Sequence, residues 1–402
     1  MNEKKKKLLL LGGASFLRPV IREAHALGIH TITCDYLPDN AAHKLSDQYL
    51  NISILDKDAV LEAAKELEID GVMSFACDPG VVTAAYVAEK LGLPSPGSYE
   101  ATCILQDKGR FRAFLRDNGF TVPWAHRYTD KAAALADAKN FTWPCIVKPV
   151  DSAGSKGVKR VDSSFALSAA IDHALKYSHG GAFIIEQFIR QQGYSSDTDC
   201  FVKDGKLCYC SFDEQRFDSG AENPYTPAAY AWPSSMPGEI QAELRSELQR
   251  LMTLLQIGTG VFNIETRQGA DGRAYIMECT PRGGGNRLSE VLEMASGTKL
   301  VQNAVRASVG LPVDEMSDPV YDGHWAEIIL HSDTDGKFSE LYIDPALRDA
   351  VKETDLWVSP GDPVERFSGA NKAIGTLVLN FPDRASLEKY MSDDSWYRVV
   401  TA

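Results

Sequence analysis

The chain has 402 residues, with 55 acidic against 42 basic side chains and a formal net charge of −13. That length predicts two or three domains rather than one. The acidic balance excludes a general nucleic-acid binder, which needs a basic footprint, and no stretch approaches the roughly 18 apolar residues of a membrane span.

The start, "MNEKKKKLLLLGG", imitates a signal peptide, but four leucines fall short of the roughly 7–15 residues of an apolar signal core. It reads as a buried first strand behind a charged tail. Cysteines at 34, 77, 103, 145, 200, 208, 210 and 279 form no C-x-x-C pair, and several sit in apolar runs such as "WPCIV". They read as small core residues of a reducing compartment, without a zinc site. The eight histidines show no ligand spacing. The expected location is the cytoplasm.

To about residue 104, strands alternate with helices: "KLLLLG", "FLRPVIREAHALG", "IHTITCDY", "DKDAVLEAAKELEI", "DGVMSFA", "PGVVTAAYVAEKLG". That alternation predicts a doubly wound parallel sheet. "GGAS" after the first strand is a tight turn without the G-x-G-x-x-G fingerprint of a dinucleotide site. Asp78 closes a strand end where ligands of such sheets bind; capping of the helix before Pro79 is the favoured role for it.

After the proline-rich "LPSPGSYEA", a helix opens at Lys108 behind Asp107 as N-cap, carries Phe111, Phe114 and Leu115 on one face, and stops at Gly119. "WPCIVKPV" is a strand ending in Lys148. "DSAGSKGV", 151–158, cannot be a P-loop, because its glycines are three apart and Val158 follows the second. A strand-like alternation comes next, so the loop joins two antiparallel strands and lies over a phosphate as a flap, or is an ordinary glycine hairpin. "AFIIEQFI" is a strand. "TDCFVKDGKLCYCSFDEQR" reads as a hairpin turning at Asp204-Gly205. Arg216 within it binds a substrate carboxylate, by resemblance to related chains, or is an exposed ion-paired arginine. A long amphipathic helix ends at Gly258, and from about 316 the chain is strand-rich.

Glu265 in "VFNIE" and Glu278 in "YIMEC" lie 13 residues apart across a hairpin. Two strand carboxylates side by side repel unless a cation neutralises them. Oxygen ligands of this kind suit Mg²⁺; the alternative is a solvent-facing pair on a sheet edge.

A lysine opening a helix, a lysine ending a strand, a glycine flap, a strand ending in "EQFI" and a carboxylate pair followed by "TPRGGG" occur here in one order. In that order the chain resembles the ATP-grasp superfamily, which includes biotin carboxylase, carbamoyl phosphate synthetase, glycinamide ribonucleotide synthetase and D-alanine–D-alanine ligase. The resemblance covers essentially the whole chain. It implies a mixed α/β and α+β architecture: an N-terminal doubly wound domain over 1–104, a two-part ATP-grasp domain over 105–315 whose flap-bearing part spans about 120–182, and a small strand-rich C-terminal subdomain over 316–402.

It also implies roles. Lys108 and Lys148 are the nucleotide lysines, Lys148 also acting in catalysis. Ser152, Gly154, Ser155, Lys156 and Gly157 belong to the phosphate flap, with backbone N–H groups as donors. Glu186, Gln187, Phe188 and Ile189 are the adenine segment. Glu265, Glu278 and Thr280 hold Mg²⁺, with Mn²⁺ as substitute, and Arg282 stabilises the transferred phosphoryl group. The chain departs from the family pattern twice. Thr280 stands where an amide usually completes the metal shell. Ser195, with Asp197 and Asp199 beyond it, stands where a glutamate usually meets the ribose.

The expectation is an ATP- and Mg²⁺-dependent ligase. It activates a small carboxylate as an acyl phosphate for attack by an amine or similar nucleophile, and releases ADP and phosphate. Its partners are small molecules, with neither nucleic acid nor membrane, and its assembly a homodimer. Two other readings stay open: a bicarbonate-activating enzyme of the carboxylase type, and an ATP-binding regulatory protein without turnover.

Overall fold

The computed structural model describes residues 5–152 and 154–402. Part of the expected charged tail (residues 1–4) and Ala153 of the glycine loop lie outside the described residues.

The N-terminal sheet is parallel, in the order β3-β2-β1-β4. Its strands are β1 (Lys7–Leu11), β2 (His30–Cys34), β3 (Gln48–Leu50) and β4 (Gly71–Ser74). The run of leucines in β1 serves two cores, as a parallel strand covered on both faces requires. Leu8 and Leu10 pack with α1 (Arg18–Ala26), while Leu9 and Leu11 pack with α2 (Lys57–Leu67) and α3 (Asp78–Leu91). The sheet is doubly wound, as the sequence predicts.

Two capped helices lead into the next part. Ser98 accepts from Ala101 N at the start of α4 (Tyr99–Gln106), and Asp107 accepts from Gly109 N and Arg110 N at the start of α5 (Lys108–Asp117). The cap therefore puts Lys108 at the first position of α5. Phe111 and Leu115 are buried beneath it, with Phe114 half-buried.

The flap-bearing sheet is antiparallel, in the order β5-β8-β6-β7, formed by Ala125–Tyr128, Phe183–Gln187, Cys145–Pro149 and Lys159–Val161. α6 (Lys131–Asp137) and α7 (Ser164–Leu175) cover it. Residues 154–158 connect β6 to its antiparallel partner β7, the hairpin the sequence predicts.

The second antiparallel sheet runs β10-β9-β13-β14: Lys206–Cys210, Ser196–Lys203, Gly260–Gln268 and Ala274–Thr280. It packs on α8 (Gly238–Leu254). Asp204 and Gly205 turn β9 into β10 with φ of 50° and 80°, the left-handed pair that a two-residue hairpin requires.

That hairpin ends at Cys210, shorter than the sequence predicts. Glu214–Phe217 instead forms β11, which pairs with β12 (Pro227–Trp232). Both join the C-terminal sheet, β11-β12-β15-β19-β17, whose other strands are His324–Leu330, Gly375–Phe381 and Val351–Leu356. The sheet thus takes strands from both sides of position 315. α8 stops at Leu254 rather than at Gly258, because Gln256 already adopts a left-handed φ of 53°. α9 (Leu288–Ser296) and α10 (Leu300–Ser308) pack into the same core as α1 and β1, which ties the "TPRGGG" region to the N-terminal domain. A small sheet (β18-β16-β20: Pro363–Val364, Gly336–Ile343, Tyr397–Thr401) and α11 (Arg384–Met391) complete the C-terminal part. Among the described residues, no helix is long and apolar enough to cross a membrane.

Candidate active site

The flap-bearing sheet and the β9–β14 sheet enclose a cleft. Twelve of the residues singled out in the sequence line it: Lys108, Lys148, Ser152, Gly154, Ser155, Lys156, Glu186, Gln187, Phe188, Ile189, Glu265 and Glu278. They come from a helix start, a strand end, a loop, a second strand end and a hairpin.

Glu265 and Glu278 are direct partners across β13 and β14, and Asn263 and Thr280 are the next pair on the same face. β9 extends that face, with Asp197 opposite Glu265 and Asp199 opposite Asn263. The face therefore gathers four carboxylates. Lys108 Nζ lies 3.1 Å from Glu278 Oε1 and Arg267 lies 3.3 Å from Glu265 Oε1. Burial works against the Glu278 anion, but Lys108 and the neighbouring cations hold its carboxyl below the ordinary range. Burial lowers Lys108 in turn, and Glu278 outweighs it, so its ammonium is raised. For Asp197 the compensation from Arg282 and Asn263 falls short: burial first, then the Glu265 charge, pushes it up to about 7. Hard oxygen donors with surplus negative charge are the donor set of Mg²⁺, so the residues fit that ion.

Glu186 is held from two sides. Lys148 Nζ is 2.6 Å from one carboxylate oxygen and Arg112 Nε 2.8 Å from the other. Burial opposes the charge of Glu186, yet Arg112 and then Lys148 hold its carboxyl down at about 2. Burial lowers the Lys148 ammonium despite the pull of Glu186. Two cations around one anion keep the group ionised, and they commit the Glu186 carboxylate to positioning Lys148. Arg112 was missed in the sequence, although it lies at i+4 from Lys108 on one helix face.

The flap is anchored on both sides. Lys108 Nζ donates to Ser152 O at 3.1 Å. The Ser155 hydroxyl donates to Tyr225 O at 2.8 Å, and Asn223 Nδ2 donates to Ser155 O at 3.2 Å. Gly157 is buried with φ of 75°, and a Cβ there would stand 2.9 Å from Pro149 Cγ. Lys156 is exposed at the cleft edge. No sequence signal marks Asn223 and Tyr225, which belong to the loop between β11 and β12.

Other expected residues lie elsewhere. The Ser195 hydroxyl donates to Gln191 Oε1 and accepts from Arg267 Nε, which makes it a prop for Arg267 behind the cleft. Arg267 stands two residues from Glu265 on one strand face, a period-2 signal that marks it in the sequence. Thr280 is buried on the face of Glu278. Asp78 does not cap α3: it is the first helical residue and its carboxylate instead holds Arg282, with Nη2 2.9 Å from both oxygens. A second cavity shares Lys108, Ser152 and Glu278 with the cleft and reaches Asp78. Arg216 is ion-paired, as the second reading had it, but buried: it binds Glu214 and Glu388 and stacks over Tyr194. His331, without ligand spacing in the sequence, lies in the fold with Asp218 and Asp333, their ligand atoms within 4.8 Å of one another.

Known proteins resemble this chain in sequence and fold. A family model described as "ATP-grasp domain" matches residues 141–290, and one described as "ATP-grasp N-terminal domain" matches residues 21–95. The formate-dependent phosphoribosylglycinamide formyltransferase of Parasynechococcus marenigrum is 25% identical over 366 residues, 90% of each chain. Among solved structures, the L-amino acid ligase from Bacillus licheniformis superposes with a TM-score of 0.81 over all of both chains at 20% identity. The biotin carboxylase domain dimer of the Hydrogenobacter thermophilus 2-oxoglutarate carboxylase, solved with MgADP and bicarbonate, gives 0.75 at 16% identity, over all of this chain and 92% of that one.

Proposed function

The chain belongs to the ATP-grasp superfamily, and from that premise we propose that it is an ATP- and Mg²⁺-dependent ligase joining a small carboxylic acid to an amine. The observation that carries the reading is the pairing of Glu265 with Glu278 in a cleft that also holds Lys108, Lys148 and the glycine flap. An acid oxygen takes the γ-phosphoryl group of ATP, giving an acyl phosphate and ADP; the amine then displaces phosphate.

Glu265 and Glu278 would hold Mg²⁺, with Thr280 beside them. Bound there, the ion supplies positive charge against the phosphate oxygens. Lys148, oriented by Glu186, and Lys108 face the phosphates, while the 187–189 backbone receives adenine. Arg282, oriented by Asp78 at the edge of the second cavity, serves the acyl phosphate. These fixed charges favour the transition state, because they are in place before reaction. The flap residues Ser152, Gly154, Ser155, Lys156 and Gly157 cover the phosphates and keep water from the intermediate.

The proposal extends to the division at 1–104, 105–315 and 316–402 and to a cytoplasmic enzyme, for which the eight free cysteines speak. It also extends to a homodimer, as in the biotin carboxylase domain of Hydrogenobacter thermophilus. The test is phosphate and ADP release over a panel of amino acids and other small carboxylates, singly and in pairs with amines. Release that needs both an acid and an amine supports the reading. Release with bicarbonate alone, or binding of MgATP without release under any pair, overturns it.

A further inference from the structure

β11 and β15 lie on either side of β12 in the C-terminal sheet and both pair with it antiparallel, so they run the same way and leave the sheet at one end. A loop starts from each. The first opens at Asp218, directly after β11, and carries Asn223 and Tyr225, which hold Ser155 of the flap. The second opens at His331, directly after β15, and carries Asp333. One carboxylate oxygen of Asp218, one of Asp333 and a ring nitrogen of His331 all lie within 4.8 Å of one another.

The His331 ring is fixed in place. It stacks on Phe367 with ring centroids 4.0 Å apart, and its side chain is only 9% exposed. Its Nδ1 stands 2.6 Å from Ile329 O. A carbonyl oxygen only accepts, so Nδ1 carries the proton. In the neutral ring Nε2 is then a bare lone pair. It faces Asp218 Oδ2 at 3.5 Å, longer than an N–H···O bond. Gly220 N engages the other Asp218 oxygen at 2.7 Å. Asp333 adds a second carboxylate, and among the described residues no lysine or arginine forms an ion pair with either. Three acceptors turned toward one point repel unless a cation lies between them, either an extra proton on Nε2 or a metal ion. A histidine tied to a backbone carbonyl through its other nitrogen is how ligating histidines are oriented, and 3.5 Å is the spacing of two ligands each about 2 Å from one ion.

We propose that Asp218, His331 and Asp333 form a site for one divalent transition-metal ion of the Zn²⁺ class, which clamps the start of the flap's anchoring loop to the C-terminal sheet. One imidazole and two carboxylates make a mixed nitrogen and oxygen set. Zn²⁺ accepts such a set, whereas Mg²⁺ prefers oxygen alone. Asp333 is exposed, which gives the ion a way in and leaves a position for water. None of the three residues lines the cleft of the carboxylate pair, and the inference does not depend on the ligase reading. The ligands come from two separate strand ends, which is why the histidines show no ligand spacing in the sequence.

The probe is Zn²⁺ alone, titrated into the full chain by calorimetry. Excess Mg²⁺ is present throughout to keep Zn²⁺ from the Glu265–Glu278 pair. Hydrogen exchange over 218–226 is the second readout. One Zn²⁺ should bind per chain, and exchange over 218–226 should slow as it does. His331→Ala should lose that ion. Asp333→Asn, a change at an exposed position that leaves the core untouched, should weaken its binding by about tenfold or more. No uptake of Zn²⁺ would mean that a proton holds the three groups together, and would overturn the proposal. Uptake that Asp333→Asn leaves unchanged would place the ion elsewhere on the chain and overturn it as well, even if His331→Ala does not fold. Uptake without slower exchange over 218–226 would overturn the clamp.

Discussion

Arg282 and Asp78 stand 204 positions apart in the sequence and bind each other through both carboxylate oxygens at 2.9 Å. The side chains are 11% and 18% exposed, so the pair lies largely out of water, where the N-terminal domain meets the residues after β14. Burial disfavours the Arg282 charge, and Asp78 more than restores it.

Removing Asp78 should therefore do two things. Asp78→Ala leaves a guanidinium without its anion in a largely dry place and should lower stability by about 3 kcal/mol, read as a shift in the urea midpoint. Asp78→Asn keeps the shape and one acceptor. It should fold nearly as well, yet lose turnover, because Arg282 is no longer held against the acyl phosphate. Full activity in Asp78→Asn would mean that the pair only joins domains.

Glu278→Gln should abolish turnover, by about a hundredfold or more, with an unchanged fold by circular dichroism. Glu265→Gln should do nearly the same. Both side chains are partly exposed in the cleft, so neither loss leaves a hole in the core. Near-normal activity in Glu278→Gln removes the assignment of the ion to this pair.

Glu186 gives a pH test. Its carboxyl is lowered from the ordinary 4.5 to about 2 by Arg112 and Lys148, against the opposing effect of burial. A lowered carboxyl adds stability that is complete above the unfolded value and is lost as pH falls through the folded one. The contribution, about 3 kcal/mol, should be full above pH 4.5 and disappear by about pH 2. Urea unfolding of Glu186→Gln should differ most from the unmodified chain at neutral pH, and the gap should close across that window. A gap independent of pH would mean that Glu186 matters by packing alone.

The flap should slow its hydrogen exchange over 154–158 when MgATP binds, more than the C-terminal strands do. Gly157→Val places a side chain at a φ of 75° against Pro149. It should hurt turnover more than melting temperature and should leak, hydrolysing ATP with the acid alone. Unchanged exchange together with a fully coupled variant returns this loop to an ordinary hairpin.

Much of the local structure follows from short-range rules. Asp107 had a carboxylate in reach of the first free N–H groups of a helix, so α5 and the placing of Lys108 were legible. Asp204-Gly205 could only turn tightly. The 13-residue interval brought Glu265 and Glu278 close across one hairpin, but counting from the turn pairs Glu265 with Met277, and only the register shift after Glu265 puts it opposite Glu278. What needs long-range contact was not legible. Asp78 reads as a cap until Arg282 arrives from 204 residues away. Glu186 reads as part of the adenine segment until Arg112 and Lys148 close on its carboxylate. Glu214–Phe217 continues the alternation of the preceding hairpin, so nothing local says that it leaves for the C-terminal sheet. Whether a given charge is free, paired or stranded depends on which elements pack together, and packing is decided by the summed burial of whole faces. The carboxyls of Asp197, Asp213 and Glu327 are an example: each is ordinary in its own stretch of chain, and only the tertiary structure buries them and raises them above the ordinary carboxyl range.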